Sequence, residues 1–403
     1  MTIYLGLGVL AAFAAYSLLN KAIDRTVLTL PILFAVIGLA LSGPLQSYVA
    51  PALIDHTKSL LGQITLILVL FSDASHVRFR RLTQSWKIPA RMLVIGMPLS
   101  IALGTAVVYG LDPASGLAMA LLTAAVLTPT DAALGQTVVN NPDVPGRLGQ
   151  TINVESGLND GLALPFVLFG AVLASAAAGD VSGTEGLATE AMGEIILGPL
   201  AGILVGWCLA RLLDLAQTRG LNNDAGAGVV FLCAAFMAYL AAIAVGGNGF
   251  IAAFVAGMVF GNTYRHDIRF ISEFMEGAGQ LLTMAAFLAF GAFLLPAGLA
   301  YAQPVTVVLA LLFLTLVRML PIFVSLTGSG LGAREKLFLG WFGPRGLASI
   351  LFTLIMIDEF DLPNEADLLA IVSLTVGLSI LLHGLSAMFL AERIGRWASR
   401  PDG

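Results

Sequence analysis

Long apolar segments alternate with short polar connections along almost the whole chain of 403 residues. A helix that crosses the hydrocarbon core of a membrane needs about 20 apolar residues, so each such segment predicts one crossing. We count thirteen segments, of which the third and ninth are short, and the pattern predicts an all-α polytopic membrane protein. Their approximate cores are Ile3–Leu19, Val27–Leu41, Leu60–Phe71, Met92–Tyr109, Gly116–Val139, Ile152–Ala174, Ile195–Leu212, Ala225–Val245, Phe250–Gly261, Leu281–Leu295, Val305–Leu326, Leu337–Ile357 and Leu368–Phe389.

Composition agrees with this interpretation. The chain is 58% hydrophobic and 11% charged, whereas a soluble domain carries roughly 25% charged residues. Cys208 and Cys233 lie inside apolar segments and indicate neither a disulfide framework nor a metal site. We expect one transmembrane unit over residues 1–403 that begins with a membrane span, carries no soluble regulatory domain, and has no cofactor or nucleic-acid partner.

The basic residues predict an orientation. Connections after odd-numbered spans hold 17 of the 20 Lys and Arg residues, and those after even-numbered spans hold only Lys58. The remaining two, Arg318 and Arg345, lie within spans. Since cytoplasmic loops carry the excess of Lys and Arg, we expect the N-terminus outside and the C-terminus in the cytoplasm. The expected location is a prokaryotic inner (plasma) membrane.

Two spans are interrupted by proline in mid-helix. Pro129 lies in span 5 and Pro344 in span 12, which occupy equivalent positions if spans 1–6 and 8–13 form two inverted repeats. Paired interruptions of this kind point to a binding site near the middle of the membrane. Because proline frees a backbone carbonyl, each break also supplies a possible cation ligand.

A group of charged and polar residues accompanies the first break. Ser156 and Asp160 are four residues apart and share a helix face, so they can offer a hydroxyl and a carboxylate to one site. Thr130 and Asp131 are expected to face them from the broken span 5. This environment of oxygen ligands suits Na⁺, Li⁺ or K⁺ and lacks the imidazole or thiolate that transition metals favour.

Buried carboxylates in this group also favour proton binding. Like charges in a medium of low dielectric constant repel one another and resist ionisation, so one carboxylate should hold a proton when no cation is present. Competition between cation and proton for the same oxygens is the minimum requirement for exchange.

The buried Arg345 needs a counter-ion, and we expect Glu155 to be its partner in a structural ion pair.

These motifs resemble the signature of the monovalent cation:proton antiporter-1 family, the NhaP-type and eukaryotic Na⁺/H⁺-exchanger group. The motifs that carry the resemblance are Thr130-Asp131, Glu155-Ser156, Asn159-Asp160 and Gly343-Pro344-Arg345-Gly346. The resemblance implies an integral membrane antiporter that exchanges Na⁺, or else K⁺ or Li⁺, for H⁺ and serves pH homeostasis. The Asn-Asp pair resembles that of electroneutral members, which implies 1:1 exchange.

The same resemblance implies an NhaA-like fold and a homodimer with elevator-type alternating access. Core helices would come from about residues 60–177 and 279–396 in part, and the other spans would form the dimerisation scaffold. It implies that Asp160 binds the ion with help from Asp131, Ser156 and Thr130. One departure concerns the first break, where many members read Thr-Asp-Pro and this chain has Pro129 before Thr130-Asp131. The unwound stretch, and with it the ion preference, can therefore be shifted.

Four further residues have open roles. Asn159 is expected to be a hydrogen-bonding spacer that holds Asp131 or Asp160. Asp73 either lines an access funnel or pairs with Arg78 or Arg80 on the surface, and we favour the surface pair. Arg318 is expected to satisfy carbonyls freed by Pro321. His383 is expected to be a packed histidine with one hydrogen bond, the alternative being a pH-sensing role. For Arg345, the alternative to an ion pair is a gating charge.

Three other classes of function are weaker matches. An ion channel would need a ring-like filter or a continuous pore. An intramembrane hydrolase could use Asp131 and Asp160 as a dyad, but no Gly-x-Gly-Asp context accompanies them. A symporter for an organic solute would need a larger polar cavity, so we expect neither an enzyme nor an organic substrate.

Overall fold

The computed structural model describes residues 2–23, 26, 28–48, 51–77, 86–139, 141–178, 184–266 and 269–398, and all regular structure in these ranges is helical. The helices are α1 Thr2–Ile23, α2 Leu30–Ala40, α3 Ser42–Tyr48, α4 Pro51–His76, α5 Lys87–Arg91, α6 Met97–Leu111, α7 Gly116–Val126, α8 Ala132–Val139, α9 Gly146–Ala178, α10 Thr184–Thr218, α11 Asp224–Ala244, α12 Gly249–Thr263, α13 Arg269–Ala289, α14 Leu295–Tyr301, α15 Pro304–Leu314, α16 Leu316–Ser325, α17 Ala333–Trp341, α18 Leu347–Glu359 and α19 Glu365–Ala398. Two π-helical turns, Met92–Gly96 and Phe290–Leu294, join α5 to α6 and α13 to α14.

Every predicted apolar segment falls on one of these helices or on two consecutive ones. Within the described residues, eight helical segments are long and apolar enough to cross a membrane by length and composition, and three more are apolar but shorter. The chain is thus an integral, multi-pass membrane protein. The third segment is longer than predicted, because α4 starts at Pro51 and includes polar residues that the apolar window left out.

Close helix packing depends on small residues. Gly198, Gly202 and Gly206 recur every four residues along α10, and each lies against the backbone of α12 or of Asn248, the residue just before it. A Cβ at Gly202 would come within 2.5 Å of the Ala252 carbonyl oxygen. Because lipid tails are as apolar as the helices themselves, such close backbone approach is what drives association inside a membrane.

The buried apolar residues form two clusters, and the broken helices extend between them. The larger cluster takes Val126 from α7 and Leu347 from α18. The smaller cluster takes Val138 from α8 and Phe338 from α17. The first broken helix therefore leads from the larger cluster to the smaller one, and the second leads back in the opposite direction.

Three of the other helices or helix pairs that enter both clusters carry polar residues at the crossing point. The polar residues lie within Glu155–Asp160 in α9, at Arg318 in the pair α15–α16, and at His383 in α19. All of these polar residues are buried, and only Gly157 and Leu158, between them in α9, are half-buried. A polar layer thus separates two apolar regions, and both breaks lie in that layer.

Candidate functional site

The first break is the non-helical stretch Leu127–Asp131 between α7 and α8. Pro129 has no backbone N–H to continue the helix, so the chain leaves it here, as the sequence predicts. The Thr128 hydroxyl donates to the Ala124 carbonyl at 2.6 Å and closes the end of α7. The prediction of a break in this span is therefore confirmed.

The second break spans residues 342–346 between α17 and α18, and Pro344 lies at its centre. Gly346 is the last residue before α18, and a Cβ at this position would overlap the Asp131 carboxylate. Only a glycine leaves room for that carboxylate, so the two breaks pack closely because residue 346 has no side chain. This confirms the second predicted interruption.

The two breaks are joined by hydrogen bonds. The Asp131 backbone N–H donates to the Pro344 carbonyl at 2.8 Å, and the Ser349 hydroxyl donates to the Val126 carbonyl at 2.7 Å. The guanidinium of Arg345 donates to the carbonyls of Thr128 and, at 3.0 Å, of Pro129. The Thr128 and Pro129 carbonyls, which the first break frees, thus accept hydrogen bonds from the second break.

Asp131 caps two helices at once. Its Oδ1 accepts the Leu134 backbone N–H at 3.1 Å, and its Oδ2 accepts the Leu347 backbone N–H at 2.6 Å. These donors lie in the first turns of α8 and α18, where free N–H groups carry partial positive charge. One carboxylate therefore stabilises the start of both half-helices and holds them together.

A second set of contacts joins the first break to α9. The Thr130 hydroxyl lies 3.1 Å from the Ser156 hydroxyl and accepts the Asn159 side-chain N–H at 2.5 Å. Asn159 is thus a hydrogen-bonding spacer, as expected, but its partner is Thr130 instead of Asp131 or Asp160. The predicted proximity of Thr130 to the polar face of α9 is confirmed.

Asp160 completes this face one turn after Ser156. Its side chain is buried, with the residue 7% exposed. Among the described residues, Asp160 Oδ1 and Asn159 Oδ1 have no hydrogen-bond partner. A buried carboxylate oxygen without a donor is costly, and such an atom indicates a place where a cation or a proton belongs.

Three further carboxylates lie within electrostatic range of Asp160, namely those of Asp73, Asp131 and Glu155. We favoured a surface ion pair for Asp73, but Arg78 and Arg80 lie outside the described residues. The structure places Asp73 towards the end of α4, half-buried and close enough to Asp160 and Asp131 to repel both. Within the described residues, no three His, Cys, Asp or Glu side chains form a metal-binding group of their own.

The expected ion pair between Glu155 and Arg345 is wrong. Glu155 instead binds Arg318, with Nη1 to Oε1 at 2.5 Å and Nη2 to Oε2 at 2.8 Å. Both side chains are almost fully buried, and two parallel bonds of this kind satisfy the planar fork of arginine. The expected role of Arg318 at carbonyls freed by Pro321 is therefore wrong as well.

Arg345 has a different kind of environment. It is completely buried, and its Nη1 binds the two carbonyls of the first break. Its Nε and its other terminal nitrogen have no acceptor among the described residues. Helical periodicity could not separate the two arginines, because it gives the face of each helix but not the depth and tilt at which that helix meets α9.

His383 makes more contacts than the single hydrogen bond we expected. Its Nε2 lies 2.9 Å from the Trp341 carbonyl, and its Nδ1 lies 3.1 Å from both the hydroxyl and the carbonyl of Ser379. Ser379, which the sequence analysis missed, accepts the Arg345 backbone N–H at 2.7 Å. A histidine and a serine four residues apart on an apolar helix are the signal that could have indicated this contact.

The family described as "Sodium/hydrogen exchanger, transmembrane" matches residues 8–393. A probable Na(+)/H(+) antiporter of Schizosaccharomyces pombe is 23% identical over 378 residues, which are 85% of this chain and 50% of that protein. The K(+)/H(+) antiporter NhaP2 of Shewanella oneidensis is 26% identical over 233 residues, which are 57% of this chain and 40% of that protein. The chain spans half or less of the length of these two relatives.

Solved structures give a closer match in length. The sodium proton antiporter MjNhaP1 from Methanocaldococcus jannaschii at pH 8 superposes with a TM-score of 0.78, at 20% identity, over 98% of this chain and 100% of the other. A second structure of the same antiporter superposes with a TM-score of 0.75. At this identity the likeness supports a common fold.

Proposed function

This chain belongs to the sodium/hydrogen exchanger family, and on that premise we propose that it exchanges a monovalent cation, Na⁺ in the first place, for H⁺ across a membrane. The family members and solved neighbours named above are antiporters and not enzymes. The observation that carries the proposal is the buried Asp160 carboxylate, whose Oδ1 has no partner among the described residues.

The proposed cation ligands are the oxygens around Asp160. Ser156 lies one turn away on the same face of α9, and Thr130 joins that face through its contact with Ser156. Carboxylate and hydroxyl oxygens are hard ligands that suit an alkali cation. Asp131 is the fourth candidate, and each of its carboxylate oxygens already accepts a backbone N–H, so a cation there would share an oxygen that also caps a helix.

Competition at Asp160 is the proposed mechanism. A cation and a proton each neutralise the same buried charge, and the carboxylates of Asp73, Asp131 and Glu155 repel an Asp160 that carries neither. One ion therefore enters as the other leaves, and one proton exchanges for one cation. Glu155 is not a cation ligand in this mechanism, because its two oxygens are held by Arg318.

The architecture we propose has thirteen crossings, NhaA-like inverted repeats, and a core that moves against a scaffold. It is supported by the antiparallel order of the two broken helices between the apolar clusters. The outside N-terminus, the cytoplasmic C-terminus and the homodimer belong to the same proposal. Binding sites at paired breaks with rigid-body alternating access recur among transporters built from such repeats.

K⁺ is the second candidate cation. Relatives named K(+)/H(+) antiporter match the chain at 26% identity, alongside others named Na(+)/H(+) antiporter. The oxygen ligands of the site accept either ion. Exchange measured with Na⁺, Li⁺ and K⁺ at several pH values in proteoliposomes distinguishes the candidates.

The decisive variant is Asp160→Asn. It removes the charge and keeps the shape of the side chain, so we expect ²²Na⁺/H⁺ exchange in proteoliposomes to fall to background while the folded protein is retained. The matched control is Asp224→Asn, which removes the same charge at an exposed position at the start of α11. Full exchange by Asp160→Asn would refute the site assignment.

Stoichiometry has a separate test. Exchange of one cation for one proton moves no net charge, so an imposed membrane potential should leave the steady-state rate unchanged. A rate that rises or falls steeply with potential would show unequal numbers of cations and protons.

A further inference from the structure

Two side chains of α19, Ser379 and His383, bond to backbone groups at the second break other than the N–H that Asp131 caps. Ser379 and His383 are one helical turn apart, and both are buried. Ser379 accepts the Arg345 backbone N–H, and His383 reaches the Trp341 carbonyl. Neither residue belongs to the proposed cation ligands, so packing is the simplest alternative explanation of their burial.

The hydrogen bonds form a directed chain. The Trp341 carbonyl can only accept, so His383 Nε2 carries the proton of that contact. The Arg345 backbone N–H can only donate, so the Ser379 oxygen accepts it and keeps its own O–H for His383 Nδ1. A neutral imidazole with its proton on Nε2 therefore satisfies all four groups at once. The Ser379 carbonyl is also 3.1 Å from Nδ1, but both atoms are acceptors in this tautomer, so that contact is not a hydrogen bond.

These contacts fix both ends of the second break. Trp341 is the last residue of α17, and Arg345 lies two residues before α18. The Trp341 indole is held as well, because its Nε1 donates to Ser386 at 3.0 Å and its ring lies 5.0 Å from the His383 ring. The distance that the break spans is thus set by one helix that is continuous through the polar layer.

The geometry of the second break in turn sets that of the first. Arg345 binds the carbonyls of Thr128 and Pro129, and the Pro344 carbonyl accepts the Asp131 N–H. We propose that His383 and Ser379 are positioning residues for cation binding, which act through the Arg345 segment on the placement of Thr130 and Asp131. This inference rests on the proposed function and adds a role to two residues outside the cation ligands.

The test compares His383→Leu and Ser379→Ala with Thr375→Val in proteoliposomes. Thr375 is buried one turn before Ser379, and among the described residues its hydroxyl bonds only to the Ile371 carbonyl of its own helix, so it is the matched control. We expect the two positioning variants to raise the apparent KM for Na⁺ by about three- to tenfold, the equivalent of one net hydrogen bond, and to change the maximal rate less. The control should behave like the unsubstituted protein.

A conservative variant separates positioning from packing. In His383→Gln the side-chain amide can still donate to the Trp341 carbonyl, so the apparent KM should return towards that of the unsubstituted protein. A purely packed histidine would tolerate leucine at least as well as glutamine. Equal KM values for His383→Leu, Ser379→Ala and Thr375→Val would overturn the inference.

Amide hydrogen exchange of residues 343–347 gives a second readout that needs no transport. Loss of either contact should speed exchange at Arg345 and Leu347, and unchanged protection in both variants would overturn the inference. If the unsubstituted protein exchanges no cation, the proposed function fails, and hydrogen exchange still decides on the role of His383. If His383→Leu does not fold, Ser379→Ala, which removes one oxygen atom, decides alone.

Discussion

Both breaks are non-helical stretches that contain a proline, but they supply different groups: acceptor oxygens in the first and hydrogen-bond donors in the second. The first break contributes oxygens, from the Thr130 hydroxyl towards α9 and from the Asp131 carboxylate towards the starts of α8 and α18. The second contributes donors, from the Arg345 guanidinium and the Leu347 backbone N–H, and has no carboxylate of its own. The two breaks therefore differ in role: the first carries two of the proposed cation ligands, and the second donates hydrogen bonds that hold the first in place.

The largest effect is expected for Arg345→Leu, which tests the role of the second break. It leaves the buried carbonyls of Thr128 and Pro129 without donors, at a cost of about 1–3 kcal/mol each. We expect a large loss of thermal stability in detergent and loss of exchange. Arg345→Lys, which keeps a charge but not the fork, should recover part of the stability, and equal stability of Arg345→Leu and the unsubstituted protein would contradict the role of this arginine.

Asp131→Asn tests the double cap. An amide offers one acceptor oxygen where the carboxylate offers two, so one of the Leu134 and Leu347 N–H groups loses its partner. The expected loss is about 1–3 kcal/mol of stability, with weaker apparent cation affinity. Asp224→Asn serves as the control for charge, and a variant as stable as this control would show that the two caps are not important.

Gly346→Ala tests the close fit of the two breaks. The added methyl group would overlap the Asp131 carboxylate, so one break must shift, at a cost of about 1–3 kcal/mol. The matched control is Gly110→Ala in α6, where a Cβ would meet nothing within 4 Å. In Gly346→Ala, both the thermal stability in detergent and the apparent KM for Na⁺ should change. In the control, neither should change.

The smallest effect is expected for Thr130→Ser against Thr130→Val. Serine keeps the hydroxyl that contacts Ser156 and Asn159, whereas valine has the same shape without it. We expect Thr130→Val to weaken apparent Na⁺ affinity by about three- to tenfold and Thr130→Ser to change it little. Identical affinities for the two variants would remove Thr130 from the ligand set.

Much of this layout follows from the sequence, because its signals are local. Prolines inside apolar segments give the positions of both breaks, and four-residue spacing gives the shared face of Ser156 and Asp160. The pairing of Glu155 with Arg318 instead of Arg345 does not follow, since both arginines lie in apolar spans of similar character. The choice depends on how deep each helix sits beside α9, which is a property of the packed structure.

His383 and Ser379 show the same limit from the other direction. Their spacing indicates a common face, but only the structure brings that face to Trp341 and Arg345. The side chains of the polar layer come from helices far apart in sequence, and they meet because the apolar residues on either side form separate clusters. Long-range order of this kind leaves no local pattern.

The central claim is that cation and proton compete for Asp160, and the most direct test is the apparent KM for Na⁺ as a function of pH in proteoliposomes. Simple competition by one proton predicts that, at pH values low enough for protonation to dominate, the apparent KM rises about tenfold for each unit by which pH falls, while the maximal rate stays constant. A KM that is independent of pH, with a maximal rate that changes instead, would contradict the account.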